Sequence, residues 1–388
     1  MKIVQINTFS NKSTGTIMMN IHKELLNEGY DSYVIWGRGR KPKNSREIYM
    51  NDSLGVKFHA LMTRITDKTG FYSKTSTLKL INKLDEIKPD VVHLHNVHGY
   101  YINIEILFNY LKANNIKVIW TLHDCWSFTG HCPHFDYIKC DKWKEQCYDC
   151  PQIKCYPKSF VDNSKWNYIT KKELFCNLNM TIVTPCLWLS KLIKESFLKQ
   201  YNVIVINNGI DRSIFKETKS DFKNKYNLNN KKIILGVASD WTEQKGFNDF
   251  IELSKIIDNN TIIVMVGLNN KQLKKLPNNI IGIKRTENVE QLTEIYSSAD
   301  VYFNPTYADT FPTTNLEALA CNTPVITYNT GGSPESVKNN GYIIEKRNYK
   351  KVIDILKNID VKVQYKDIFT KENMIKKYIE LYKEMEEK

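Results

Sequence analysis

The chain has 388 residues, 42% of them hydrophobic and 25% charged, which is long for one core and suits two domains. No apolar run is long enough to span a bilayer as a helix. A net charge of +13 asks for an anionic partner. Nucleic acid fits poorly, because the lysines are dispersed and no basic stretch is interleaved with aromatic residues, leaving phosphorylated small molecules, an anionic membrane surface or simply solvated helix faces.

Met1-Lys-Ile-Val-Gln-Ile is too short for a signal peptide and reads as the start of a strand over 2–7. The expected location is the cytoplasm, at most peripheral to the inner face of the plasma membrane, where nine cysteines are free thiols or metal ligands rather than disulfides. A loop carrying Gly15 follows, then a helix over 17–27 with apolar residues at Ile17, Ile21, Leu25 and Leu26. The second strand covers 33–36. Residues 56–77 place Phe58, Leu61, Met62 and Ile65 on one helical stripe beside Lys57, Arg64 and Lys68, with Phe71 and Tyr72 after a glycine. Such a segment either meets an anionic lipid surface or packs on its own domain with its lysines outward.

Helices over 78–87 and 102–113 alternate with strands over 90–95 and 117–122, which implies a parallel sheet with crossover helices. His98 and His123 stand just past strand ends, where functional side chains project, and His98 is assigned to the acceptor side. Between 125 and 158 the alternation breaks into an insertion rich in cysteine and aromatic residues. Cys132, Cys140, Cys147 and Cys150 are expected to hold a structural zinc, since a Cys-x-x-Cys pair lets one turn supply two ligands. Cys125, His131, His134 and Cys155 are rival ligands, and free buried thiols are the other reading. The sheet resumes with a helix over 168–178, a strand over 180–184, a helix over 188–198 and a strand over 203–206, and a polar Asn207-Asn-Gly-Ile-Asp211 turn follows.

A second alternating series has strands at 232–238, 261–267 and 280–283, and a helix over 247–257. Asn288 with Gln291 suggests a capping box for a helix over 289–299. Lys245 lies just after the first strand of this series, at a helix start, where an ammonium suits a diphosphate. A strand over 301–305 and another over 324–327 bracket a helix over 314–321. Thr313 and Thr314 can cap that helix, Pro312 sits near its first turn, and its free N–H groups suit a phosphate. Asp309 in the preceding loop could then take hydrogen bonds from a sugar, and Glu317 could grip a ribose. Only helical patterns remain past 350.

Two acidic residues separated by seven positions, Asp309 and Glu317, followed by Gly331-Gly-Ser-Pro-Glu335, resemble the signature of the family-4 glycosyltransferases, with Asp in place of the usual first Glu. The insertion is also similar to that of a subset of bacterial polysaccharide glycosyltransferases, in its His123-Asp-Cys-Trp-Ser-Phe-Thr-Gly-His-Cys132 and Cys147-Tyr-Asp-Cys-Pro151 runs. The resemblance implies an α/β fold of the GT-B type, with two facing Rossmann-like domains at 1–205 and 206–365 and a helix over 371–386 that returns to the first. It implies a retaining sugar transfer from a UDP- or GDP-sugar to a glycan or lipid-linked acceptor, with no obligatory metal at the donor. His123, Lys245 and Asp309 would be catalytic, and Gly15, Lys245, Asp309, Thr313, Thr314, Asn315 and Glu317 would bind the donor. An arginine usually stands five residues before the lysine, and Asp240 occupies that place here. A nucleotide-sugar 2-epimerase and a noncatalytic protein of the same fold are the alternatives.

Overall fold

The computed structural model describes residues 1–50, 52–364 and 368–387. It divides into two compact units, 1–206 with the residues from 375 onward, and 207–374. The end of the second domain anticipated at 365 lies outside the described residues. None of the described helices is long and apolar enough to cross a membrane.

The first unit is built on a seven-stranded sheet: β1 (Lys2–Phe9), β2 (Asp31–Arg38), β3 (Glu47–Tyr49), β4 (Val91–Leu94), β5 (Lys117–Thr121), β6 (Met180–Thr184) and β7 (Asn202–Val205). Their spatial order is β3-β2-β1-β4-β5-β6-β7, and every pairing is parallel, with Val4 opposite Tyr33 on one side and Val92 on the other. Helices on both faces explain why β1 is buried from Ile3 through Thr8, its polar Gln5 and Asn7 included. The order reverses between β1 and β4, so a crevice opens outside the carboxyl ends of those strands. Gly15, expected in a loop, lies in the first turn of the helix Ser13–Asn27, where a Cβ would stand 2.4 Å from the Phe9 carbonyl oxygen. It lets the helix start hard against the end of β1.

The second unit repeats the plan with β8 (Lys232–Val237), β9 (Thr261–Val266), β10 (Ile280–Ile283), β11 (Val301–Asn304), β12 (Val325–Tyr328) and β13 (Gly341–Ile344), in the order β10-β9-β8-β11-β12-β13. Ile234, Phe250, Ile263, Met265, Phe303 and Tyr328 lie together in its core. Each contributes roughly 1.5–3 kcal/mol by leaving water. Here the order reverses between β8 and β11.

The last helix, Lys371–Glu387, buries Tyr378 and Tyr382 against the first unit's sheet. The Tyr378 hydroxyl lies 3.0 Å from Thr121 Oγ1, and the Tyr382 hydroxyl 2.5 Å from His93 Nδ1.

Several local expectations change. The 56–77 segment is not one element: a helix Ser53–Thr66 ends at left-handed Asp67, and a second runs over Lys74–Ile87. Asn288 caps the helix Val289–Ser298 by accepting from the Gln291 N–H at 2.8 Å, but the Gln291 side chain accepts from the Glu287 N–H, so the box is not reciprocal. The helix Thr313–Ala320 has Pro312 at its cap position and no side-chain cap, because Thr313 is already its first helical residue.

Candidate active site

In the second unit two loops leave the carboxyl ends of the strands that flank the reversal. One runs from Val237 to the helix Phe247–Ser254, the other from Asn304 to the helix Thr313–Ala320. The Tyr307 N–H donates to the Gln244 carbonyl at 2.8 Å and joins them. Across this junction Lys245 Nζ meets Asp309 Oδ2 at 2.6 Å. Asp309 is held at three points: its Oδ1 accepts from the Phe311 N–H at 3.2 Å, and its carbonyl accepts from the Gly332 N–H at 3.2 Å while lying against Gly331. Gly331 has φ +56°, and a Cβ there would stand 2.1 Å from the Asp309 carbonyl oxygen, so the turn needs glycine to press on that backbone.

Glu317 lies one turn into the helix, partly screened from solvent. Burial pushes its carboxyl up to about 7, opposed by a hydrogen bond from the Tyr296 hydroxyl at 2.9 Å. Thr313 and Thr314 are partly exposed at the same helix start, and the Thr314 side chain hydrogen-bonds the Tyr302 hydroxyl. Asn315, also expected at the donor site, faces the protein interior. Its side chain is wholly buried, accepts from Asn304 Nδ2 at 2.7 Å and donates to Ser333 and Ser336 at 3.3 and 2.8 Å, so it pins the helix to the next one. Asp240 is exposed.

Beneath this surface lies a group that the sequence reading missed. Buried Asp249 accepts through Oδ1 from the hydroxyls of Tyr307, Tyr328 and Tyr349 at 3.0, 2.5 and 3.2 Å, and Arg347 Nε donates to Tyr307 at 3.1 Å. The three tyrosines are scattered over 43 sequence positions, between 307 and 349, so spacing carried no signal.

In the first unit the ends of β4 and β5 bring four titratable side chains together. His123 Nε2 lies 3.2 Å from His95 Nδ1, whose Nε2 lies 3.2 Å from Gln5 Oε1. Burial lowers His123 to about 4, with the Asp124 charge opposing, so the imidazole is neutral at pH 7. His98 Nε2 lies 2.8 Å from Asp124 Oδ2. Burial raises the Asp124 carboxyl, but His98 and the Trp126 N–H outweigh it and hold the acid down to about 2. Asp124 and His95 were not among the expected site residues, although His-x-His and His-Asp runs at two neighbouring strand ends could have drawn attention to both.

Cys132, Cys140, Cys147 and Cys150 line one small cavity with His131. No three His, Cys, Asp or Glu side chains among the described residues are grouped to hold a metal ion. The insertion has other internal support. Phe128, Phe135 and Trp143 pack with ring centroids 4.8 to 6.2 Å apart, Lys171 donates to the carbonyls of Trp126 and Thr129, and buried His131 Nδ1 lies 2.5 Å from buried Asp67.

Residues 14–214 match the model of glycosyltransferase family 4, and residues 218–360 that of the glycosyl transferases group 1. An inferred colanic acid biosynthesis glycosyl transferase of Escherichia coli, WcaC, is 24% identical over 366 residues, covering 88% of this chain and 86% of that one. The Staphylococcus aureus capsular polysaccharide biosynthesis glycosyltransferase CapM is 23% identical over 209 residues, 50% of this chain and 55% of its own. Among solved structures, sucrose-phosphate synthase from Thermosynechococcus elongatus superposes with a TM-score of 0.74 at 15% identity, covering 99% of each chain. Anabaena HepE in complex with UDP-glucose does so with a TM-score of 0.67 at 14% identity, over 99% of this chain and 100% of that one. The two parallel sheets thus form a GT-B fold.

Proposed function

Because the chain belongs to glycosyltransferase family 4 and is a glycosyltransferase of polysaccharide biosynthesis, we propose that it moves a sugar from a nucleotide-sugar donor to a lipid-linked glycan with retention at the anomeric carbon. The observation that carries this reading is the Lys245–Asp309 ion pair at the strand reversal of the second unit. Neither partner is locked inside the protein, since the side chains are 40% and 19% exposed, so an entering diphosphate can replace Asp309 as the counter-ion of Lys245. Asp309, released but still held by its backbone contacts, then accepts hydrogen bonds from the sugar hydroxyls.

Glu317, on the next turn, accepts from the ribose. The first-turn amides of the helix Thr313–Ala320, with Thr313 and Thr314, face the diphosphate. As the bond from the anomeric carbon to the diphosphate breaks, negative charge grows on the leaving oxygen, where Lys245 stabilises it. The acceptor hydroxyl oxygen bonds to the same carbon, and its proton passes to the leaving diphosphate. His123, being neutral, can donate one hydrogen bond to a sugar hydroxyl or accept one without adding charge. Gly15 supports the reading for the first unit only indirectly, by setting the helix start close to β1.

The complexes of HepE with UDP and with UDP-glucose support a uridine donor as the first to try. Lys245→Ala should lower kcat and weaken nucleoside diphosphate binding together. Unchanged values of both would remove the lysine from the site.

A further inference from the structure

We propose that the first unit carries a docking surface for an anionic phospholipid bilayer, formed by the helix Ser53–Thr66 and the 158–169 segment. The inference stands apart from the reaction assigned above, because it rests on a surface remote in sequence from Lys245, Asp309 and Glu317.

An amphipathic helix on a soluble protein turns its apolar stripe to the core. This one is reversed. Leu54, Phe58, Leu61 and Ile65 follow one another at four, three and four residues, and they are 77, 55, 55 and 48% exposed. At ~100° per residue they fall within an arc of roughly 60°, whereas His59 and Thr63, its buried residues, lie on the opposite side. The helix is fastened to the body by that polar face: His59 Nδ1 lies 2.8 Å from Ser73 Oγ, and its Nε2 accepts from the Gly70 N–H at 3.0 Å. The apolar stripe is therefore presented by a rigidly attached support.

The exposed apolar surface extends beyond the helix. The Phe160 N–H donates to the Arg64 carbonyl at 2.8 Å, which ties the backbone of a phenylalanine that is 81% exposed to the helix's carboxyl end. Val161, Trp166 and Ile169 are exposed in the same segment, and Lys68 Nζ sits 3.9 Å over the Trp166 ring.

Charge complementarity selects the occupant. Lys57 and Arg64 flank the stripe on one side, Lys68 follows the helix, and exposed Lys158 and Lys165 adjoin the loop. No carboxylate lies within the helix. Asp67 is buried against His131, so around the apolar centre the five cations Lys57, Arg64, Lys68, Lys158 and Lys165 outnumber two carboxylates, the helix cap Asp52 and exposed Asp162, and the border is cationic on balance. Apolar rings that enter the acyl boundary while cations meet lipid phosphates match an anionic bilayer better than a second copy of this chain, whose own border carries the same sign.

The test is sedimentation of the whole protein with vesicles of equimolar phosphatidylglycerol and phosphatidylcholine, and with phosphatidylcholine alone, at low and high salt. Binding to the anionic vesicles that weakens with salt is expected. Arg64→Glu with Lys68→Glu should reduce the partition coefficient roughly tenfold or more. Phe58→Ser with Leu61→Ser should reduce it at low salt without altering the charge, and these exposed positions should leave the melting temperature unchanged. Wild-type protein that ignores anionic vesicles at low salt would overturn the proposal. So would equal binding by all variants, or a wild-type dimer that Leu61→Asp dissociates in the absence of vesicle binding.

Discussion

Glu317 joins two properties that make its role measurable. Its carboxyl titrates near 7 in the folded protein, because burial outweighs the Tyr296 hydrogen bond, and near 4.5 when exposed. The folded state therefore holds the proton between those values, and stability contributed by this group falls as pH rises from about 4.5 to 7, then stays level. Ribose hydroxyls prefer the charged acceptor, so affinity for a nucleotide sugar should rise as pH passes through 7. The diphosphate of a nucleotide sugar does not ionise there, and His123 titrates far lower. Glu317→Gln should flatten that rise and weaken donor binding by roughly 1.5–3 kcal/mol. Isothermal titration across pH 6 to 8 checks both, and parallel profiles for the two proteins would refute the ribose role. Asp309→Asn separates the two parts assigned to Asp309. Freed of its counter-ion, Lys245 should bind free nucleoside diphosphate up to about fivefold more tightly, while turnover of the full donor falls. Weaker diphosphate binding in Asp309→Asn would reject the exchange of partners. At this scale much of the site was legible: Asp309, Lys245 and Glu317 sit at loop ends and a helix start, where local sequence sets position. Asn315 stands two residues before Glu317, which puts it on a different face of the helix, toward Ser333 and Ser336. Asp249 was illegible, since its partners come from three separate elements.

Parallel strands and their crossover helices could be read directly, because runs such as 232–238 and 261–267 have no polar alternation and are bounded by helical patterns. The short edge strands β3 and β13 were missed, at three and four residues, too brief for a periodic signal. The helix Ser53–Thr66 shows a subtler limit: its period was readable, but the direction of its apolar face depends on where His59 and Thr63 find partners. The cysteine insertion, read as rich in aromatic residues, packs Phe128, Phe135 and Trp143 together as its core. Trp143→Ala should cost about 3–5 kcal/mol, and Cys147→Ser distinctly less, by thermal or denaturant unfolding. Elemental analysis of protein prepared without a polyhistidine tag belongs beside these melts. About one zinc per chain, lost in Cys147→Ser with a destabilisation as large as that of Trp143→Ala, would make metal rather than aromatic packing the main support.

Across the whole molecule, each of the two units brings its reversal of strand order near titratable side chains: His98, His123 and Asp124 in one, Lys245 and Asp309 in the other. Fold and reaction class follow from that repetition and from the family, whereas the transferred sugar and its acceptor depend on side-chain shapes that no motif encodes. The most direct measurement is release of free nucleoside diphosphate from a panel of UDP- and GDP-sugars, with and without a lipid-linked glycan extract, followed by the anomeric coupling of the product. Release only when acceptor is present, with the donor's anomeric configuration kept in the product, is the predicted result. Equal release without acceptor, an inverted product, or donor binding with no turnover on any acceptor would contradict it.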